Sequence, residues 1–193
     1  MKILHITSHL NIGGITRYIL LLSRLFLKQN LLVIIASDNG QLEKEARAMG
    51  AVHWRLPFHT SAEFSPKVFW GIRELRRRLQ EEKVDLMHAH TRVGQVAADR
   101  MSRHFKIPYV TTWHGIYKRR LGRRLWPCTG NKTIAISNLV YQHLLRDFHL
   151  PERQVRRIYN GIDTAHYAIL PDPTVIDAFR QRWHIRADSP VIG

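Results

Sequence analysis

Seven short runs rich in β-branched and aromatic residues recur along the chain: KILHIT, LLVIIAS, AVHWRLP, VDLMHAH, PYVTTWH, KTIAIS and VRRIYN. Most are separated by segments of helical periodicity, Ile15 to Lys28, Gln41 to Met49, Pro66 to Glu82, Val93 to Phe105 and Asn138 to Phe148. A strand, a crossover helix and a second strand pair in parallel through a right-handed connection. The alternation therefore predicts an α/β fold, a Rossmann-like, doubly wound parallel sheet. No internal repeat or low-complexity tract interrupts it.

Other classes are excluded by simple counts. No run reaches the roughly 18 apolar residues that a membrane span needs. The opening MKILHITSHL is broken by His5 and His9 and lacks a small-residue cleavage site, so it reads as a first strand and not a signal peptide. Cytoplasmic placement is the expectation. Cys128 is the only cysteine, which rules out an intramolecular disulfide and any multi-cysteine zinc site.

In such a sheet the turn between the first strand and the first helix lies at the carboxyl ends of the strands, where ligands of open α/β sheets bind. Here that turn carries Gly13 and Gly14 in HLNIGGITRY. Amides at a helix start point at the ligand, and glycine lets the backbone approach a phosphate because no Cβ intervenes. The dinucleotide fingerprint needs three glycines spaced GxGxxG, so the pair fits a nicotinamide-dependent dehydrogenase poorly. A plain tight turn is the competing explanation. Asp38, before Asn-Gly at the end of the second strand, is read as turn chemistry and not as a ribose ligand.

Histidines gather at the same edge. His9 follows the first strand, His90 closes the fourth and His114 the fifth, and a strand order 3-2-1-4-5 makes these three ends neighbours. Zinc is not expected there, since no HExxH pair or adjacent carboxylate set accompanies them. Neutral imidazoles that hydrogen-bond hydroxyls and phosphates are the reading taken. His5 and His88, inside apolar strands, read as satisfied core residues.

The net charge of +15 implies an anionic partner, and its distribution narrows the choice. Residues 65–130 carry fifteen basic and five acidic groups, against seven and four before them and eight and six after. In PKVFWGIRELRRRLQEEK one helical face is apolar while Arg73, Arg76, Arg77 and Arg78 surround it. In YKRRLGRRLW, helical spacing would align Tyr117, Leu121 and Leu125 with Trp126 beside them, opposite Arg119, Arg120, Arg123 and Arg124, and Lys118 joins these four as the candidate membrane- and anion-binding set. Basic residues with Trp and Leu read as a segment for an anionic membrane surface, each cation being worth about 1 kcal/mol there. A basic nucleic-acid-binding domain would explain the charge, yet no helix-turn-helix, zinc-finger, RRM or KH signature is present, so nucleic acid is not the expected partner.

Four ordered stretches carry a resemblance: HLNIGGITRYILLLSRLF, VDLMHAHTRVGQVAADRMSRHFKIPYVTTWHGIY, TIAISNLVYQHLLRDF, and VRRIYNGIDTAHY with Asn160, Gly161, Ile162 and Asp163 in its NGID. Together they resemble the N-terminal, acceptor-binding domain of a family 4 glycosyltransferase of the GT-B type. The resemblance implies residues 1–163 as that domain and 164–193, with Pro171, Pro173 and the strand-like Val191 and Ile192, as a linker into a second domain. It implies that Gly13 and Gly14 approach the donor diphosphate, that His114 reaches the transferred sugar as the catalytic-site histidine, and that Arg17 and His90 face the acceptor. It implies retaining, metal-independent transfer from a nucleotide sugar, with no cofactor, to a glycan or lipid-linked acceptor of the cell envelope such as lipopolysaccharide, at the inner membrane face. The second domain's diphosphate-binding Arg and Lys are not found, so the expectation is an excised or truncated acceptor domain without turnover of its own.

Overall fold

Each of the seven runs forms a strand. The computed structural model describes residues 1–60, 65–118, 121–168 and 172–191. In chain order the elements are β1 (Lys2–Ile6), α1 (Gly14–Lys28), β2 (Leu32–Ser37), α2 (Glu43–Ala48), β3 (Val52–Arg55), α3 (Pro66–Glu81), β4 (Leu86–Ala89), α4 (Arg92–Phe105), β5 (Tyr109–Trp113), α5 (Leu121–Leu125), β6 (Lys132–Ala135), α6 (Asn138–Arg146), β7 (Val155–Arg157), α7 (Thr164–Tyr167) and α8 (Pro173–Arg182). The strands pair in parallel in the order β3-β2-β1-β4-β5-β6-β7, with His5 level with Ile35 on one side and His88 on the other. The doubly wound expectation holds.

Period-two alternation divides the apolar strand residues between two layers. Leu4, Ile6, Ile34, Ala36 and Met87 pack with Val68, Leu75 and Leu79 of α3 and Val93, Ala97 and Met101 of α4. Val33 and Ile35 face the opposite way and meet Ile19 and Leu20 of α1 and Ala46 of α2. His5 shares this second face, where its ring stacks parallel on Phe26 of α1 at 5.9 Å. A third cluster joins Trp113 and Ala135 to Val140 and Leu144 of α6.

Thr91 and Ser137 cap α4 and α6 through side-chain oxygens that accept from Gly94 N and Val140 N. The sheet belongs to a compact unit spanning Met1–Asn160, and Gly161–Gly193 form a second. Within the latter, α8 occupies part of the stretch that its turn residues predict as linker: Asp172 caps Thr174 N, and Pro173 stands in the first turn. Of the strand-like pair near the end, Ile192 lies outside the described residues.

Candidate active site

The carboxyl ends of β1, β3 and β4 open on a cleft of about 570 Å³, lined by Ser8, His9, His59, Thr91 and Arg92 among others. His9 and His59 meet edge-on at 4.8 Å. Burial, and then His59, lower the pKa of His9. Asp38 accepts from Asn39 N at 2.8 Å, the turn chemistry its sequence context implies.

Gly13 and Gly14 stand at this edge, and the protein itself gives no reason for them. Gly13 is extended, with φ 170°, a conformation open to any residue. A Cβ at either position would meet nothing within 4 Å. The tight-turn explanation therefore fails. Gly13, the N-cap of α1, makes no side-chain cap hydrogen bond, and both glycines are exposed at the helix start. What fixes this loop is Gly40, which sequence reasoning reads only as part of an Asn-Gly turn. A Cβ there would lie 2.1 Å from the carbonyl carbon of Leu10 and 2.4 Å from Asn11 N. Leu42 N donates to Leu10 O at 2.9 Å, and Asp38 N to Ser8 O at 3.1 Å, so the loop after β1 rests on the loop after β2.

The histidines converge. His88 Nε2 is 2.7 Å from Thr112 Oγ1, His5 Nδ1 is 2.9 Å from His90 Nε2, and His90 Nδ1 is 3.4 Å from His114 Nε2. Tyr18, one turn into α1, lies edge-on to both His90 and His114, at 5.8 and 5.1 Å. It ties the glycine turn to the end of β5, a contact that no local pattern in the sequence signals. Burial lowers the pKa of His5 and of His114 to about 4, and burial followed by neighbouring imidazoles holds His88 and His90 well below the ordinary histidine value. All four are neutral at pH 7. His5, His88 and His90 also offer ring nitrogens within 4.8 Å of one another, a spacing a small cation could use. Two of those rings are already paired through His5 Nδ1 and His90 Nε2.

Two sequence expectations need correction here. His90 is 1% exposed, and both its nitrogens are taken by His5 and His114, so it stands behind His114 and does not face an acceptor. His5 is fully buried, yet its Nε2 has no partner among the described residues, so it is not the satisfied core residue expected. His114 is half-buried, with one ring nitrogen facing His90. Arg17 reaches α2, donating to both carboxylate oxygens of Glu45 at 3.2 and 2.9 Å.

The basic segment differs from its expected form. Arg119 and Arg120 lie outside the described residues. Among the described residues the helix is Leu121–Leu125, and Trp126 turns inward to donate its indole N–H to Asp99 at 2.8 Å. Asp99 also accepts from Tyr109 and Arg103, a polar anchor that local periodicity could not reveal. The Arg123 guanidinium sits over the Tyr117 ring at 4.6 Å. Lys118, Leu121, Arg124 and Leu125 remain exposed. On α3, Arg77 and Arg78 pair with Glu74, while Phe69, Trp70, Arg73 and Arg76 are exposed.

Residues 12–166 match the sequence model of Glycosyltransferase Family 4. No curated protein matches the chain. Among solved structures it is similar to a glycosyltransferase from Rickettsia africae, with TM-score 0.81 and 20% identity over 98% of this chain and 51% of that one. It is also similar to Anabaena HepE in complex with UDP-glucose, with TM-score 0.76 and 18% identity over 95% and 50%. A third, the lipopolysaccharide outer core galactosyltransferase WaaB, gives TM-score 0.65 and 14% identity over 84% and 46%. The chain thus spans about half the length of these structures, and at such identities the likeness is one of fold.

Proposed function

The chain belongs to glycosyltransferase family 4, and from that membership we propose that it forms the acceptor-side wall of a cleft. There a sugar passes, with retention and without a metal, from a nucleoside-diphosphate sugar to a lipid-linked or other cell-envelope glycan. The observation that carries this reading is the start of α1: two exposed glycines that the fold does not require, one helical turn from Tyr18, whose ring lies edge-on to His114 at 5.1 Å. Diphosphate oxygens there would accept from backbone amides at the positive end of a 15-residue helix. Fixed donors aimed at a departing diphosphate stabilise charge as it develops, without reorganising. His114 would then meet the transferred sugar.

A direct test is titration with UDP-glucose, the ligand of the HepE structure. The chain is expected to bind it weakly, since one wall of a cleft provides part of the contacts. Gly13→Val with Gly14→Val should weaken binding at least tenfold while changing stability by no more than about 1 kcal/mol, because a Cβ at either position meets nothing within 4 Å. Binding unaltered in the double variant would refute the assignment, as would tight stoichiometric binding with turnover by residues 1–193 alone.

The cationic surface favours an anionic bilayer at the cytoplasmic face as the place of work. Among the described residues no helix is long and apolar enough to cross a membrane. Trp70 is 68% exposed beside Arg73 and Arg76, and Leu125 is 78% exposed beside Arg124. Aromatic and aliphatic groups interleaved with cations suit an interface. Cosedimentation is expected with vesicles containing anionic lipid and not with neutral ones, and Trp70→Ser with Arg73→Gln and Arg76→Gln should reduce it about tenfold. Equal binding to neutral vesicles, or a gel shift with nucleic acid at physiological salt, would remove this part.

A further inference from the structure

His5, His90 and His114 form a hydrogen-bonded series in which the last ring depends on the first. The two junctions are His5 Nδ1 to His90 Nε2 at 2.9 Å and His90 Nδ1 to His114 Nε2 at 3.4 Å. Burial keeps all three rings neutral at pH 7. A neutral imidazole has one N–H and one lone pair, so each junction needs a donor on one side and an acceptor on the other. Only two arrangements satisfy both. In the outward one, His5 and His90 each donate from Nδ1, His114 accepts at Nε2, and the His114 proton sits on Nδ1. In the inward one, His114 and His90 each donate from Nε2, and His5 keeps its proton on Nε2.

His5 Nε2 decides between them. The residue is fully buried, its ring lies flat against Phe26, and this nitrogen has no partner among the described residues. The inward arrangement would make it a buried N–H with nothing to accept it, the rarer kind of orphan in native structures, whereas the outward one leaves only a bare lone pair. We propose that His5, acting through His90, holds His114 as its Nδ1–H tautomer, so that His114 meets its ligand as a hydrogen-bond donor and not as a base. His5 and His90 are positioning residues. The ligand oxygen that receives the proton is a sugar oxygen, a clause that rests on the function proposed above.

Long-range ¹H–¹⁵N correlation on the histidine-labelled chain at pH 7.5, with resonances assigned through single His→Gln variants, reads each tautomer directly. A protonated Nδ1 and bare Nε2 are expected for His90 and His114, with a bare Nε2 for His5. In His5→Phe the His114 nitrogens should move to averaged positions, and His5→Gln, which can donate again, should restore the pattern. A His114 proton on Nε2 in the unsubstituted chain, or a pattern untouched by His5→Phe, would overturn the proposal. If His5→Phe does not fold, the first spectrum still decides. Adding UDP-glucose separates the two readings: a shift at His114 Nδ1 supports both, while an unshifted but protonated Nδ1 supports the relay and removes the sugar contact.

Discussion

Lowering the pH from 7.5 to 4.5 should strip residues 1–160 of several kcal/mol of stability, through histidines and before most carboxylates protonate. In the unfolded chain a histidine titrates near 6.5. In the folded chain His5 is pushed down to about 4, and His88 and His90 well below their ordinary value, in each case chiefly by burial. Below pH 6.5 the unfolded state therefore takes up protons that the native state refuses, and ∂ΔG/∂pH is positive. The stability these residues confer is complete above about pH 6.5, declines as pH falls, and levels off only at the folded pKa values. For His5 alone the interval from 6.5 to about 4 corresponds to about 3 kcal/mol. His88 and His90 act in the same direction, and among the described residues no carboxylate accepts a hydrogen bond from any of the three rings to offset their charging. Urea midpoints measured at half-unit steps of pH would show the slope. A flat profile between pH 6.5 and 4.5 would mean that water reaches the cluster, and His88→Phe should flatten the profile in part if it does not.

The features that were legible before the fold was known are those encoded within a few residues. Strand runs such as LLVIIAS declare themselves by β-branched content, and α1 and α4 by spacing. The order of strand ends that gathers His90 and His114 follows from crossover handedness. Contacts between distant segments were not legible. Trp126 reads as an interfacial residue because its neighbours are basic, and only the fold brings Asp99, 27 residues away, to its indole N–H. His90 reads as a ligand-facing group because it ends a strand, yet burial is set by α1, whose Tyr18 covers it. The helix of Pro173–Arg182 did carry a local signal, Asp172 followed by Pro173, which can open a helix as readily as it can mark a turn.

The two glycine sites at the sheet edge should respond in opposite ways to the same added methyl group, and the contrast tests which of them the fold needs. Gly13→Ala and Gly14→Ala place a Cβ in open space and should leave stability nearly unchanged. Gly40→Ala drives a Cβ to within 2.1 to 2.5 Å of three backbone atoms of Leu10 and Asn11, and a backbone cannot step aside by changing a rotamer. Relief requires the loop after β1 to lift from the loop after β2, which breaks the bonds from Leu42 N to Leu10 O and from Leu10 N to Asn39 O. Overpacking of this kind costs about 3 kcal/mol, to which the loss of two backbone hydrogen bonds adds. Because Leu10 and Asn11 lead directly into Gly13 and α1, the same movement shifts the amides proposed to meet the diphosphate. Gly40→Ala should therefore lower the urea midpoint and also weaken UDP-glucose binding in the fraction that remains folded. If instead it costs less than about 1 kcal/mol, the two loops are not in the contact described, and the placement of the glycine turn would have to be drawn again from the Tyr18–His114 contact alone.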